Sequence, residues 1–217
     1  MIIIYTKLLI VVISIIVLSA CGSTRNDIGL GNEISETTTN PSPKPVVRSN
    51  FQLAKMKKNQ LVNESDTIIS GTVLSQKVET DFAGFPVTDT LIQVKNVYKG
   101  EPGNTLEVRA AGGESDDMIY IIDPPTNFTL TVGEEVVLFL SQNGGSRPDE
   151  ESFYYVVGQP QGKFSVDAQS KGVITNSLNT HKFNLDNLRK EIEELEKYNK
   201  KHKVPRLILP EGQESDI

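Results

Sequence analysis

The chain has 217 residues, a formal charge of −6, no tryptophan and a single cysteine, Cys21. The acidic balance argues against nucleic acid as a partner, since nucleic-acid binders carry basic patches. One cysteine allows no internal disulfide, so the fold must rest on an apolar core, which a chain of this length can supply.

Residues 1–20 hold one charged side chain, Lys7, followed by the apolar run Leu8–Leu18 and the small pair Ser19 and Ala20. Basic start, apolar core and small-residue exit are the layout of a secretory leader. The apolar stretch falls short of the roughly 20 residues that span a bilayer comfortably. Counting Met1–Tyr5 lengthens it, which leaves a permanent anchor helix as the alternative. The group Leu18-Ser19-Ala20-Cys21 resembles the lipobox of bacterial lipoproteins. That resemblance implies a signal peptide over 1–20, cleavage before Cys21 and covalent diacylglycerol on its sulfur, with no other cofactor. A thiolate is the nucleophile such alkylation requires. Two acyl chains anchor durably where one binds marginally, so the expected address is the bacterial cell membrane, facing away from the cytoplasm.

Residues 21–50 are rich in Ser, Thr, Asn, Gly and Pro and predict a disordered tether. The domain is expected over 51–203. Asn50 is a candidate cap for a short N-terminal helix from Phe51 to Ser65, with Phe51, Ala54, Leu61 and Val62 toward one side. Thr67–Ser75 is β-rich. Thr90–Tyr98 alternates through Ile92, Val94 and Val97 with a slip that predicts a bulge. Lys99–Gly103 is a turn, and Thr105–Ala110 alternates through Leu106 and Val108.

Met118–Ile122 predicts a short strand closed by Asp123, Pro124 and Pro125. Glu135–Leu140 is almost wholly apolar and predicts a central strand buried on both faces. Phe153–Val157 is a further strand, and Gly162–Val166 with Val173–Thr175 predicts a hairpin. Asn184 is placed to cap a C-terminal amphipathic helix whose stripe is Leu185, Leu188, Ile192, Leu195 and Tyr198. Residues 204–217 are expected to form a loose tail. The fold class is therefore mainly β, a small antiparallel OB-like barrel between two helices, favoured over a two-sheet sandwich because closure removes exposed edges.

Glu64-Ser65-Asp66 with Ile68–Val73, Gln93–Gly100, Glu107-Val108-Arg109, Gly112-Gly113, Val132–Leu140 and Gly158–Gly162 resemble a group of bacterial surface and secreted domains. That group is similar to netrin-like, or metalloproteinase-inhibitor-like, OB-fold domains, and the resemblance covers about residues 64 to 166. Two features depart from it. Netrin-like domains usually carry disulfides, and inhibitors of that kind chelate a target's zinc through their first cysteine, whereas Cys21 is expected to be lipid-bound and far along a tether.

The catalytic inventory is thin. His181 and His202 are the only histidines, and neither a His-Glu-x-x-His motif, a Gly-x-Ser-x-Gly elbow nor a phosphate-binding loop occurs. Glu114, Asp116 and Asp117, with Asp123 beyond, are weak candidates for Ca²⁺, which takes oxygen ligands in loops; their spacing matches no EF-hand. Consecutive strand residues face opposite sides, so Phe153, Tyr154 and Tyr155 cannot all be core. Tyr154, with Phe82 and Phe85 from the Asp81–Pro86 loop, is the candidate ligand surface. The sequence thus predicts a lipid-anchored, non-enzymatic binding module for an envelope protein or cell-wall polymer, with a small exported hydrolase or metal-dependent enzyme as the alternative.

Overall fold

The computed structural model describes residues 43–142, 153–167 and 172–207, so Cys21, the leader and most of the expected tether lie outside the described residues. The protein is mainly β with antiparallel pairing and two helices. The strands are β1 Val46–Ser49, β2 Thr67–Thr80, β3 Pro86–Lys99, β4 Thr105–Ala111, β5 Gly113–Glu114, β6 Ile119–Ile122 and β7 Glu135–Ser141. They continue with β8 Tyr155–Val156, β9 Lys163–Ser165, β10 Val173–Thr175 and β11 Lys182–Asn184. Helix α1 is Lys58–Glu64 and α2 is Leu188–His202. Among the described residues no helix is long and apolar enough to cross a membrane.

The main sheet runs β4-β3-β2-β7-β8, with β9 also on β7. Strands β8 and β9 share one edge of β7, interrupted by the 3₁₀ turn Gln159–Gln161. The two ends of this path meet. Tyr154, just before β8, donates its amide to Glu107 O at 2.9 Å and accepts at 2.9 Å from the Arg109 amide of β4, a parallel bridge between Val108 and Tyr154.

Strand β7 lies between two apolar layers, as its unbroken apolar run predicts. Val136, Val137, Leu138, Phe139 and Leu140 all have 0 % exposure. Val136, Leu138 and Leu140 meet Ile69, Val73, Ile92, Leu106 and Val108 in the inner core. Val137 and Phe139 meet Leu61, Val62, Phe164, Phe183, Leu188 and Ile192 in the outer core beneath the helices. There Phe139, Phe164 and Phe183 form a three-ring cluster with centroids 5.3–5.5 Å apart.

The slip expected in β3 is real: Ser70 pairs with Asn96 but Gly71 with Val94, leaving Lys95 as the extra residue. Gly71 permits the close approach there, since a Cβ would lie 2.5 Å from Gln93 O. Helix α2 follows its stripe through Leu188 and Ile192, and the Asn184 side chain caps the 3₁₀ turn Leu185–Asn187 ahead of it.

Five expectations are corrected. The tether does not run to residue 50, because Val46–Ser49 pairs in parallel with Ile119–Ile122. The first helix spans only Lys58–Glu64; residues 51–57 stay non-helical, and the buried Gln161 side chain accepts from Met56 N at 3.0 Å and donates to Ala54 O at 2.9 Å, using backbone groups a helix would need. Strand β10 takes β11 as its hairpin partner and β9 pairs with β7, the expected β9–β10 pairing being reduced to one antiparallel bridge between Phe164 and Asn176. The α2 stripe ends on buried Asn199, which donates to Asn59 O at 2.8 Å, while Tyr198 is 49 % exposed and stacks on His202. The tail is pinned over 204–207: Arg206 reaches Asp66 at 2.9 Å and the Leu207 amide reaches Glu64 at 2.8 Å.

His181 is buried and its Nε2 has no hydrogen-bond partner among the described residues. Burial, then the charge of Lys58, holds its pKa below the usual imidazole value, with Lys55 adding to this against an opposing Met56 backbone hydrogen bond. The unfolded chain therefore binds a proton that the folded chain resists. Stability should fall as pH drops below about 6.5 and level off beneath the folded pKa. His181→Phe should flatten the unfolding midpoint between pH 7 and about 5; thermal unfolding at each pH checks this, and an unchanged slope refutes it.

Candidate functional site

Strand β7 covers β2 only from Thr67 to Thr72, yet β2 continues to Thr80 and pairs with β3 throughout. The β2–β3 hairpin and the end of β4 thus overhang the inner core. Along one face of β3 the residues are Val94, Ile92, Thr90 and Thr88, since alternate residues share a face. Their β4 partners are Leu106 opposite Ile92, Val108 opposite Thr90 and Ala110 opposite Thr88. On β2 they face Val73, Gln76 and Val78. The face changes from large aliphatics to short or polar side chains as it leaves the core, and volume is lost.

A cleft of about 570 Å³ occupies that space, within the range of small-molecule sites. Thr88, Thr90 and Ala110 form its floor, and Gln76 donates to the Thr90 hydroxyl at 3.2 Å. Tyr155, Val156 and Gln159 form a wall. Tyr120, Ile121 and Ile122 of β6, with the loop Thr126–Leu130, form the roof. Gly112 and Gly113 carry the chain from β4 into the roof with φ of +102° and +152°. A Cβ on Gly113 would sit 3.0 Å from Val78 and 3.2 Å from the Thr88 hydroxyl.

The roof is held by the N-terminal segment. Strand β1 pairs along the whole of β6. Lys44 binds Glu114 at 2.8 Å and Ser115 O at 2.8 Å, Arg48 binds Asp123 at 2.6 Å, and Tyr120 donates to the Ser49 hydroxyl at 3.0 Å. The Lys44 ammonium pKa is raised, chiefly by its hydrogen bond to Glu114.

Both ionic groups of the lining are internally engaged. The Asp81 carboxylate accepts from the amides of Ala83 at 3.0 Å and Phe85 at 2.8 Å, closing the β2–β3 turn. Arg109, 7 % exposed, clasps Asp89, 4 % exposed, through Nε and Nη2, each at 2.7 Å, and lies 3.5 Å above the Phe153 ring.

No protein-family model matches the chain, and no curated protein matches it.

The three aromatic candidates do separate jobs. Phe82 is 54 % exposed at the hairpin tip. Phe85 is half-buried with its ring 5.0 Å from Tyr120, supporting the roof. Tyr154 is half-buried against the inner core and bridges β8 to β4. Of its neighbours, Phe153 is buried under Arg109 and Tyr155 lines the cleft. Among the acidic candidates, Glu114 and Asp123 are clamps to Lys44 and Arg48, and Asp116 and Asp117 are exposed. Among the described residues, no three of His, Cys, Asp and Glu are grouped so that they could hold a metal ion. The cleft itself was missed: its only sequence signal is the run of small and hydroxylated residues that replaces aliphatics at Thr88, Thr90 and Ala110.

Arg109→Met leaves the Asp89 carboxylate buried and uncompensated and should cost about 3–5 kcal/mol, whereas Asp89→Leu with Arg109→Met should regain most of it. Urea denaturation of both variants checks this. Arg48→Glu sets a second acid against Asp123 and should speed amide exchange over Ile119–Asp123 while β2 and β7 stay protected; uniform exchange across all strands would refute a separately held roof.

Proposed function

We propose that this chain is a lipid-anchored, non-enzymatic binding module of a bacterial cell envelope, an OB-like barrel that takes its ligand in the cleft beyond its inner core. The carrying observation is the cleft, of about 570 Å³, built on the inner face of β3 and β4. Ligand pockets recur in the mouths of β-barrels, where strands run past the packed interior.

The barrel reading is supported by the two backbone hydrogen bonds from Tyr154 to Glu107 and Arg109, which tie β8 to β4 in parallel across the ends of the antiparallel sheet. That succession of five strands is the one a Greek-key barrel of the OB kind uses, which favours this reading. The anchor reading is supported by Leu18-Ser19-Ala20-Cys21. Diacylglycerol on Cys21 would hold the module at the membrane surface, with an envelope protein or cell-wall polymer carrying the ligand.

A neutral-fragment screen on the full chain, read by amide chemical shifts, tests the cleft. Shifts should concentrate on Thr88, Thr90, Ala110 and Gly112 and vanish in a folded Ala110→Phe variant. Fragments that shift other surfaces, or that bind Ala110→Phe as well as wild type, would overturn the reading.

A further inference from the structure

The cleft presents no uncommitted charge among its lining residues. Asp81 is spent on the amides of its own turn and Arg109 on Asp89. A charged ligand would shed water there without gaining a counter-ion, which is costly. A purely aliphatic ligand would leave the lining hydroxyls and amides dry and unpaired, which is also costly.

The remaining lining combines two kinds of group. Phe51, Tyr120, Phe128 and Tyr155 supply aromatic surface. Asn127 and Gln159 supply amides that make no side-chain hydrogen bond to other described residues, each able to donate and accept.

Gln159 is also held in an unusual backbone conformation. Its φ is +51°, in the left-handed region. A non-glycine residue sits there at a steric cost, because its Cβ crowds the following carbonyl oxygen. The positions around it explain how the surroundings impose that conformation: Gly158 has φ +62°, Pro160 is buried, and Gln161 is 2 % exposed and bonded to Ala54 and Met56. They do not explain why the residue is Gln rather than Gly. Strain of this kind collects where a side chain must be aimed at a ligand.

Resting on the binding reading above, we infer that the cleft takes a neutral saccharide unit, with Gln159 as its amide anchor. A pyranose has an apolar C–H face suited to aromatic rings and a rim of hydroxyls that both donate and accept, which amides satisfy. The cleft volume suits one or two such rings.

The test is titration of the full chain with N,N′-diacetylchitobiose, followed by amide shifts and calorimetry. Its cationic deacetylated form and neutral 1-nonanol serve as the competing classes. The neutral disaccharide should shift Thr88, Ala110, Gly112 and Gln159. Gln159→Gly, which relieves the left-handed strain, should raise the melting temperature yet weaken disaccharide binding by about tenfold or more, the effect of one well-made contact. Gln159→Asn, folded and with a shorter amide, should fall between. Cleft binding of nonanol or of the cationic sugar in preference to the disaccharide would overturn the saccharide assignment and leave the cleft reading standing. Disaccharide binding unchanged in Gln159→Gly would overturn the role of Gln159. No cleft shift with any of the three probes would overturn the saccharide assignment, and the neutral-fragment screen then decides the cleft reading by itself.

Discussion

Burial of β7 on both faces is the constraint on which the architecture depends. Five successive residues, Val136 to Leu140, have no exposure, and each fully buried aliphatic or aromatic side chain stabilises by about 1.5–3 kcal/mol. One strand can contribute to two layers only if the chain supplies a cover for each. The helices, with Phe164 and Phe183, cover one face; the curled path β4-β3-β2 covers the other. Because β7 is seven residues long and β2 fourteen, the inner layer has β7 for a wall over only part of its length. The cleft is the geometric remainder of that mismatch. It exists because β4 and β3 place Ala110, Thr88 and Thr90 there instead of residues that would fill the space.

Local pattern was enough to read β7, the stretches of β2, β3 and β4 nearest it, and the length of α2. Each has a period or an unbroken apolar run that only one environment explains, as Leu106 and Val108 show on β4 and Leu188 and Ile192 on α2. What was not legible depends on distant partners. Val46–Ser49 is a strand only because Ile119–Ile122 lies beside it, and nothing within Pro41–Asn50 distinguishes it from a tether. Phe51 and Ala54 have helical spacing, but the Gln161 amide, more than a hundred residues away, claims the Ala54 carbonyl and the Met56 amide. Lys182–Asn184 is too short and polar to announce itself as a strand and is recruited by Val173–Thr175.

The site was harder to read for a related reason. A cleft is a deficit of volume, and a deficit is visible only once register says which face is inside. Here the register shifts at Leu74, Lys95 and Tyr98, so strict alternation along β2 or β3 would misassign residues beyond each bulge. The acidic residues that looked like oxygen ligands were misleading in an informative way. Glu114 and Asp123 are at the two ends of the β5–β6 segment because that segment needs clamps, and their cations, Lys44 and Arg48, come from sequence that reads as spacer. Exposed ion pairs of this kind contribute little stability singly, about 0–1 kcal/mol. Their effect here is to fix where a small sheet lies.

That small sheet, β1-β6-β5, shares no strand with the main one. Its attachments differ in kind at its two ends. Toward the main sheet it is joined covalently through Gly112, and the Tyr120 ring packs against Phe85. On its other side it is held by four parallel residue pairings, two ion pairs and one hydroxyl bond, all supplied by residues 44–49. Such contacts lose little apolar burial when they part, so local opening at this edge costs less than opening within the two cores.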